Sequence, residues 1–254
     1  MIYAGDELAA WARLTPPEMI RVSADREELS STSLVWQTDP AHGDLLGLVF
    51  EWAFDQGVPI VTSVRREDSQ AFRYLEGRYT PIPGAPWSSF NVRTLDELAE
   101  PVLPDGFRLA THAEIGDDAG RVEVHRSSWD SRTFTMESFE TLRATWPYRA
   151  DLDVVVLSAE GQQVCTVLAW FDEGASLGEF EPVGTDSRYR RLGLARAANL
   201  HAMRLLKAAG ATHVAVACRG DDDYPAPWKL YESVGFKRLY NDLPIKLVAP
   251  TSPG

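Results

Sequence analysis

Residues 188–196 have the composition of an anion-binding loop. The run carries arginines at 188, 190, 191 and 196, and the small residues Gly193 and Ala195. Because these have little or no side chain, a ligand can approach the backbone N–H groups of residues 191–196, where a helix is predicted to begin. Those donors and the positive end of the helix dipole favour phosphate. The alternative is a basic helix start on the surface that binds nothing.

Two motifs carry a family resemblance. Arg190, Gly193 and Ala195 resemble the Gln/Arg-x-x-Gly-x-Gly/Ala signature of the GNAT superfamily of N-acetyltransferases. Downstream, the run Leu230-Tyr231-Glu232-Ser233-Val234-Gly235-Phe236 resembles the Leu-Tyr-x-x-x-Gly-Phe ending of the fourth helix of that fold. A helix and a strand are predicted between the two motifs, as the resemblance requires.

The resemblance implies a set of ligand and catalytic residues. Acetyl-CoA is the implied acyl donor, no metal is implied, and the acceptor is a small-molecule primary amine. Tyr231 is implied to protonate the departing thiolate, as a phenol close to the sulfur can; alternatively, it packs with its hydroxyl at the rim. The implied cofactor-binding residues are Val183 and Thr185, through their backbone, and the loop residues Arg190, Arg191, Leu192, Gly193, Leu194, Ala195 and Arg196.

The predicted strand 177–185, which precedes the loop, is poorly suited to full pairing. Gly178, Pro182 and Gly184 are weak ladder residues, and Pro182 has no N–H to donate. The resemblance accounts for this, because the fourth GNAT strand splays from its neighbour and offers free backbone groups to pantetheine. A backbone N–H near Val183 is then expected to stabilise the oxyanion.

A base is needed because an amine must lose its proton before it attacks a thioester. Glu179 and Glu181 are two residues apart, so they point to the same face of a regular strand. Either is a candidate base, and Glu181 is preferred because it is closer to the expected splay. Alternatively, the two carboxylates are exposed or bind substrate.

The sequence departs from the family pattern before Tyr231. Tyr224 and Pro227 stand where the family often has Asn and Ala, so an Asn contact to the cofactor is expected to be missing. This departure favours the second function considered, a non-catalytic acyl-CoA-binding sensor or scaffold. Tyr231 and the two carboxylates favour the enzyme.

The predicted fold class is α/β (α+β), a GNAT fold. From residue 107 the patterns predict a strand, two helices, three strands, a helix, a strand, a helix and two final strands at 236–240 and 244–248. This order resembles the GNAT order: a mixed central sheet, splayed at the fourth strand and flanked by helices.

Prolines and glycines near residue 100 predict a domain boundary. Residues 1–100 are interpreted as a degenerate GNAT-like domain and residues 101–254 as the acetyltransferase domain. The strand, helix, strand, helix order of residues 33–76 supports a duplication; a helical hairpin unrelated to the second half is the alternative. Two-half layouts of this kind are similar to mycothiol synthase-like proteins.

The composition and net charge limit the classes of partner that the protein is expected to bind. Of 254 residues, 44% are hydrophobic, which is enough for a proper core, and the formal charge is -12. That charge argues against nucleic acid or an anionic membrane and suits a cationic amine. Without a signal-like start or a long apolar run, a cytoplasmic protein is expected. Cys165 and Cys218 are expected to be buried, reduced thiols.

Overall fold

The computed structural model describes residues 1–23 and 26–248. The chain forms two compact units, residues 1–88 together with the chain from Tyr240 onwards, and residues Ser89–Leu239. These units differ from the predicted domains in where residues 89–100 and the last strand fall. The interpretation of the first half as a degenerate GNAT-like domain stays a prediction.

The first unit is built on antiparallel strands and two helices. Its elements are β1 Ile2–Ala4, β2 Glu7–Thr15, β3 Met19–Ser23, β4 Arg26–Leu29, β5 Thr32–Thr38, α1 Leu46–Asp55, β6 Ile60–Arg65, α2 Ser69–Tyr74 and β7 Tyr79–Pro81. The strands β1, β2, β5 and β6 lie side by side in that order, and only the β5–β6 pair is parallel. The core forms where α1 buries Phe50 and Ala53 among Leu34, Ile60 and Ile245.

The remaining elements form the second unit, except that the last strand from Tyr240 onwards belongs to the first unit. They are β8 Ser88–Thr94, β9 Arg108–Thr111, α3 His112–Ile115, α4 Asp118–Trp129, α5 Met136–Ala144, β10 Asp153–Leu157, β11 Gln163–Asp172, β12 Leu177–Thr185, α6 Leu194–Ala209, β13 His213–Arg219, α7 Ala226–Ser233 and β14 Lys237–Leu247. The order across its sheet is β8-β13-β12-β11-β10-β9. The β12–β13 pair is parallel, while β9, β10, β11 and β12 pair antiparallel.

Helix α6 fixes the centre of this unit. Its buried face includes Leu194, Ala198, Ala202, Met203 and Leu206. Gly210 ends the helix with a φ of 109°, a conformation that glycine adopts without steric cost. The strands β10 and β11 are buried at nearly every residue, so both faces of the sheet are covered.

Several sequence predictions are corrected by the structure. The two predicted final strands are one strand, β14, because Pro244 keeps its register opposite Ser63 and its carbonyl accepts the Ile82 N–H at 3.2 Å. The predicted helix at 42–56 begins with a 3-10 turn, Pro40–Leu45. Strands β1 to β4 and helix α3 were not predicted. Cys165 is buried and free as expected, whereas Cys218 is only half-buried.

A buried ion pair connects α4 to β10. The Arg121 Nε atom lies 2.9 Å from Asp153 Oδ1, and the two side chains are 1% and 0% exposed. The Tyr148 hydroxyl also donates to Asp153, at 3.2 Å. Both the burial and the nearby Asp153 carboxylate raise the pKa of Tyr148, so this phenol stays protonated. Removing one partner would leave the other charge buried and uncompensated.

We therefore predict that Asp153→Asn lowers the free energy of unfolding by about 3 kcal/mol, measured by urea denaturation. The matched control is Asp151→Asn, which breaks the exposed pair with Arg149, whose side chains are 38% and 54% exposed. A screened surface pair contributes less than about 1 kcal/mol. Equal effects of the two substitutions would contradict this account of the buried pair.

Candidate functional site

The strands β12 and β13 separate halfway along the sheet. Their parallel register runs from Leu177 opposite His213 to Glu179 opposite Ala215, and among the described residues it ends there. Both strands continue, β12 to Thr185 and β13 to Arg219. The predicted splay of this strand is therefore confirmed, and it leaves one edge of residues 180–185 open.

Hydrogen-bond alternation shows which backbone groups face the open edge. The Asp186 N–H donates to the Val164 carbonyl at 3.0 Å, across the pair of β12 with β11. In an antiparallel pair every second residue bonds to the partner strand, so Gly184 also faces β11. Val183 and Thr185 therefore direct their N–H and C=O groups away from β11, towards the open edge.

An irregularity in β12 accompanies the separation. Val183 lies opposite Val167 but Phe180 lies opposite Ala169, so β12 uses one residue more than β11 over this step. Such a bulge redirects the side chains that follow it. The bulge contains Glu181 and Pro182, which are joined by a cis peptide bond. The Trp170 Nε1–H donates to the Glu181 carbonyl at 2.7 Å and holds the bulge in place.

The arginine-rich loop delivers unpaired backbone donors to the same edge. After a 3-10 turn, Ser187–Tyr189, the chain takes positive φ angles of 69° at Arg191 and 81° at Gly193. Ala197 N–H bonds to the Gly193 carbonyl at 3.1 Å, and within the described chain no side chain caps α6. The N–H groups of residues 194–196 therefore remain open to a ligand.

Two exposed arginines hold the loop through hydrogen bonds. Arg190 donates from Nη2 to the Ser128 carbonyl at 2.7 Å and from Nε to the Thr185 carbonyl at 3.2 Å. Arg188 pairs with the buried carboxylate of Asp186 at 2.8 Å and lowers the pKa of that group. The Arg190 guanidinium thus ties the loop to the ends of α4 and β12.

A cavity of about 520 Å³, here called the main cleft, joins these features. It is lined by Tyr231 and by every predicted cofactor-binding residue except Leu192, whose side chain is exposed: Val183, Thr185, Arg190, Arg191, Gly193, Leu194, Ala195 and Arg196. Three arginines and Lys229 line the main cleft, and no carboxylate is among the described residues that do so. The cleft is thus basic in a strongly acidic protein.

Tyr231 lies where the main cleft meets a second cavity. This inner cavity, of about 330 Å³, shares Trp129, Val183, Pro227 and Tyr231 with the main cleft and adds Glu181. Tyr231 is 5% exposed and packs edge-on against Phe236, with ring centroids 5.5 Å apart. Its burial raises its pKa, and the nearby groups Cys218 and Glu181 raise it further. The phenol is therefore protonated at neutral pH.

The two candidate bases occupy different positions. Glu181 lines the inner cavity and also a third one, the aromatic cavity, of about 440 Å³, between the indoles of Trp146 and Trp170. Glu179 lines only the aromatic cavity. Desolvation raises the pKa of Glu181, and the Glu179 carboxylate raises it further. The structure brings Glu181 near Tyr231 but leaves Glu179 outside the inner cavity.

Sequence reasoning missed His125 as a lining residue of the inner cavity. Its ring stacks on Phe134 with centroids 3.9 Å apart and lies 4.6 Å from the Trp129 ring. Burial, with a smaller effect from Arg121, lowers the pKa of His125 to about 4, so the imidazole is neutral. A lone histidine on a helix gives no signal in the sequence; only the fold brings it to the cavity. Trp129, which was predicted to pack the core or line a cleft, covers Gly184.

Comparisons with known proteins agree with this geometry. Residues 122–236 match the model of the acetyltransferase (GNAT) family. This segment of the chain matches a GNAT acetyltransferase domain, and the mixed, splayed sheet with flanking helices is the GNAT fold. A search of curated proteins found no match.

Solved structures similar to this chain include three acetyltransferase-type proteins. A GCN5-related N-acetyltransferase from Sphaerobacter thermophilus is 20% identical, with a TM-score of 0.70 over 97% of this chain and 79% of that one. A tandem GNAT protein from the clavulanic acid biosynthesis pathway is 15% identical, with a TM-score of 0.63 over 99% and 82%. A GCN5-related N-acetyltransferase from Kribbella flavida is 17% identical, with a TM-score of 0.56 over 87% and 82%. At these identities the likeness establishes the fold alone.

Residues 1–23 and 26–248 contain neither a metal-binding group of side chains nor a membrane-spanning helix. No group of three or more His, Cys, Asp or Glu side chains in these ranges could hold a metal ion. No helix in them combines the length and the apolar character needed to cross a membrane.

The half-buried imidazole of His125 predicts an acid sensitivity. Because the pKa of His125 is about 4 in the folded chain and about 6.5 when unfolded, the unfolded state binds more protons between these values. Above pH 6.5 this titration does not affect the free energy of unfolding, and as the pH drops towards 4 it lowers that free energy. From pH 7 to pH 5, wild type should lose about 1 kcal/mol more unfolding free energy than His125→Phe, since partial solvent access reduces the full effect.

The measurement is urea denaturation at both pH values. His213→Gln, at an exposed histidine on β13, is the control and should keep the wild-type sensitivity. An equal loss in wild type and His125→Phe would rule out a neutral, half-buried His125.

Proposed function

We propose that this protein is an acetyl-CoA-dependent N-acetyltransferase that transfers an acyl group to a primary amine of a small molecule. The observation that carries the proposal is a single cleft lined by the open edge of β12, the uncapped start of α6 and the phenol of Tyr231. The match of residues 122–236 to the GNAT family supports acetyl transfer in general. The proposal adds that acetyl-CoA is the donor and that an amine is the acceptor.

The chemistry of the main cleft fits acetyl-CoA. The open N–H groups of residues 194–196 and the positive end of the α6 dipole suit a pyrophosphate. Arg191, Arg196 and Lys229 add positive charge. The N–H and C=O of Val183 and the N–H of Thr185 offer a strand-like edge to the amide groups of pantetheine, while the Thr185 carbonyl accepts from Arg190. The Asn that the family often has before the fourth helix is replaced, and the backbone donors supply the contacts instead.

The proton steps follow from the inner cavity. Glu181, with its raised pKa, accepts a proton from the bound ammonium, and the free amine attacks the thioester carbonyl. The new C–N bond gives a tetrahedral oxyanion; when it collapses, the C–S bond breaks and Tyr231 donates its proton to the leaving thiolate. The nitrogen loses a second proton, one proton returns to Tyr231, and one is released to water. The Val183 N–H lies on the edge where it can stabilise the oxyanion.

A non-catalytic acyl-CoA-binding sensor or scaffold remains the second candidate. The replaced Asn position, Tyr224-Pro225-Ala226-Pro227, favours it. Glu181 and Tyr231 at one cavity favour the enzyme, since a binding module needs neither a base nor an acid there.

We also propose that the first unit is a degenerate GNAT-like half. In support, a tandem GNAT protein matches 99% of this chain in fold. The strand, helix, strand, helix order of β5, α1, β6 and α2 in the first unit agrees with that proposal.

The enzyme and the module are separated by calorimetric titration with acetyl-CoA and by thiol release against a panel of amines. Tyr231→Phe should keep the acetyl-CoA affinity and lower kcat by about 10²-fold, because the acid is lost while the cleft is unchanged. Tyr189→Phe is the matched control: Tyr189 also lines the main cleft, but its ring packs on Phe107. Its turnover should equal that of wild type.

Binding of acetyl-CoA without turnover of any amine would favour the module. Absence of binding would overturn both candidates. Undiminished turnover by Tyr231→Phe would remove Tyr231 as the acid.

A further inference from the structure

The aromatic cavity has a lining suited to one class of ligand. Its walls are the indoles of Trp146 and Trp170 and the side chain of Leu177, and its polar groups are the carboxylates of Asp172, Glu179 and Glu181. At about 440 Å³ it is within the usual size range of small-molecule sites. Trp146 is 86% exposed, so its indole contributes little to the core.

The charges of the aromatic cavity are of one sign. No basic side chain is among the described residues that line it. Carboxylates attract an ammonium group, and an indole face attracts a cation that lies above it. The same indoles bury an aryl or alkyl body. The carboxylate of a ligand would be repelled by these acidic side chains. It would also lose its hydration without gaining a hydrogen-bonding partner.

The wall formed by Trp170 is held rigid from within the unit. Asp153, which pairs with Arg121, accepts a hydrogen bond from the Tyr148 hydroxyl, and the Tyr148 ring lies edge-on to Trp170 with centroids 6.4 Å apart. Trp170 in turn donates to the Glu181 carbonyl. This series of contacts fixes both the Trp170 indole and the backbone of Glu181, so this side of the cavity is preformed.

Glu181 connects the aromatic cavity to the reacting groups. It lines both the aromatic cavity and the inner cavity, which Tyr231 also lines. A ligand whose body contacts the two indoles can therefore place its ammonium group next to Glu181, the residue that the aromatic cavity shares with the inner cavity.

We propose that the aromatic cavity binds the acceptor, and that the acceptor is a primary amine with an aryl or alkyl body and no carboxylate. This inference rests on the proposed function for the acetyl transfer, but the binding preference can be measured without it. The apolar body lies between Trp146 and Trp170, and the ammonium pairs with Glu181, with Glu179 and Asp172 adding negative charge.

The test uses calorimetric titration of the full chain, with and without added CoA, with three probes. 2-Phenylethylamine should bind at least about ten-fold more tightly than ethylamine, which lacks the ring, because the ring buries apolar area. It should also bind at least about ten-fold more tightly than phenylalanine, whose carboxylate faces the three acidic side chains. Equal affinity for phenylalanine and 2-phenylethylamine, or no binding of 2-phenylethylamine, would overturn the proposal.

Variants locate the site. Trp146→Ala should weaken 2-phenylethylamine binding by about ten-fold and raise KM with little change in kcat, since it removes one wall of the site. Its exposure makes the substitution safe for folding. Trp52→Ala, at a tryptophan of the first unit that is 41% exposed, is the matched control and should bind like wild type. Unchanged binding in Trp146→Ala would overturn the proposal.

Turnover separates this inference from the proposed function. If 2-phenylethylamine binds with the stated preference but no amine in the panel, including it, is acetylated, the cavity assignment stands and the enzyme proposal fails. If amines are acetylated with no preference for 2-phenylethylamine over phenylalanine, the enzyme stands and the acceptor class is overturned.

Discussion

The structure of the candidate site depends on the separation of β12 from β13 after Glu179. A fully paired strand would bond Val183 and Thr185 to a neighbour and leave nothing for a ligand. Because the parallel register ends at Ala215, those backbone groups and the start of α6 face one cleft. The bulge at Glu181 and Pro182 also follows from this break, and it brings Glu181 to the cavity lined by Tyr231.

Two cavities of the second unit are lined by charges of opposite sign. The main cleft is lined by arginines and a lysine, whereas the aromatic cavity is lined by carboxylates. A net charge of -12 does not reveal this division, because it averages over the whole chain. An anionic donor and a cationic acceptor would each meet charge of opposite sign, and the inner cavity lies between these two cavities. The same separation disfavours binding of either ligand in the place of the other.

Local patterns predicted much of the second unit. The bounds of β12 agree with the predicted 177–185, and its Gly/Pro content correctly indicated the splay. The helix that begins after the arginine-rich loop was also predicted, because its start is read from residues close in sequence. The order of the central elements followed from these patterns together with the two family motifs.

Features set by distant contacts could not be predicted in this way. Pro244 and the polar residues before it suggested a break, but pairing with β6 and β7 keeps β14 continuous. Strand β2 was missed because its alanines at 9, 10 and 12 have weak strand preference. The aromatic cavity joins the chain after α5 to the β11–β12 hairpin, and His125 reaches the inner cavity only through the packing of α4. The spacing of residues in the sequence does not indicate that these segments lie close together.

The central claim is that acetyl-CoA is held by the open backbone groups of β12 and of the first turn of α6. Amide hydrogen exchange, resolved to single residues by NMR with and without acetyl-CoA, tests it directly. The account predicts slower exchange at Val183, Thr185 and residues 194–196, and unchanged exchange at the first turn of α5, which begins at Met136. Binding of acetyl-CoA with no change at those amides of β12 and α6 would contradict it.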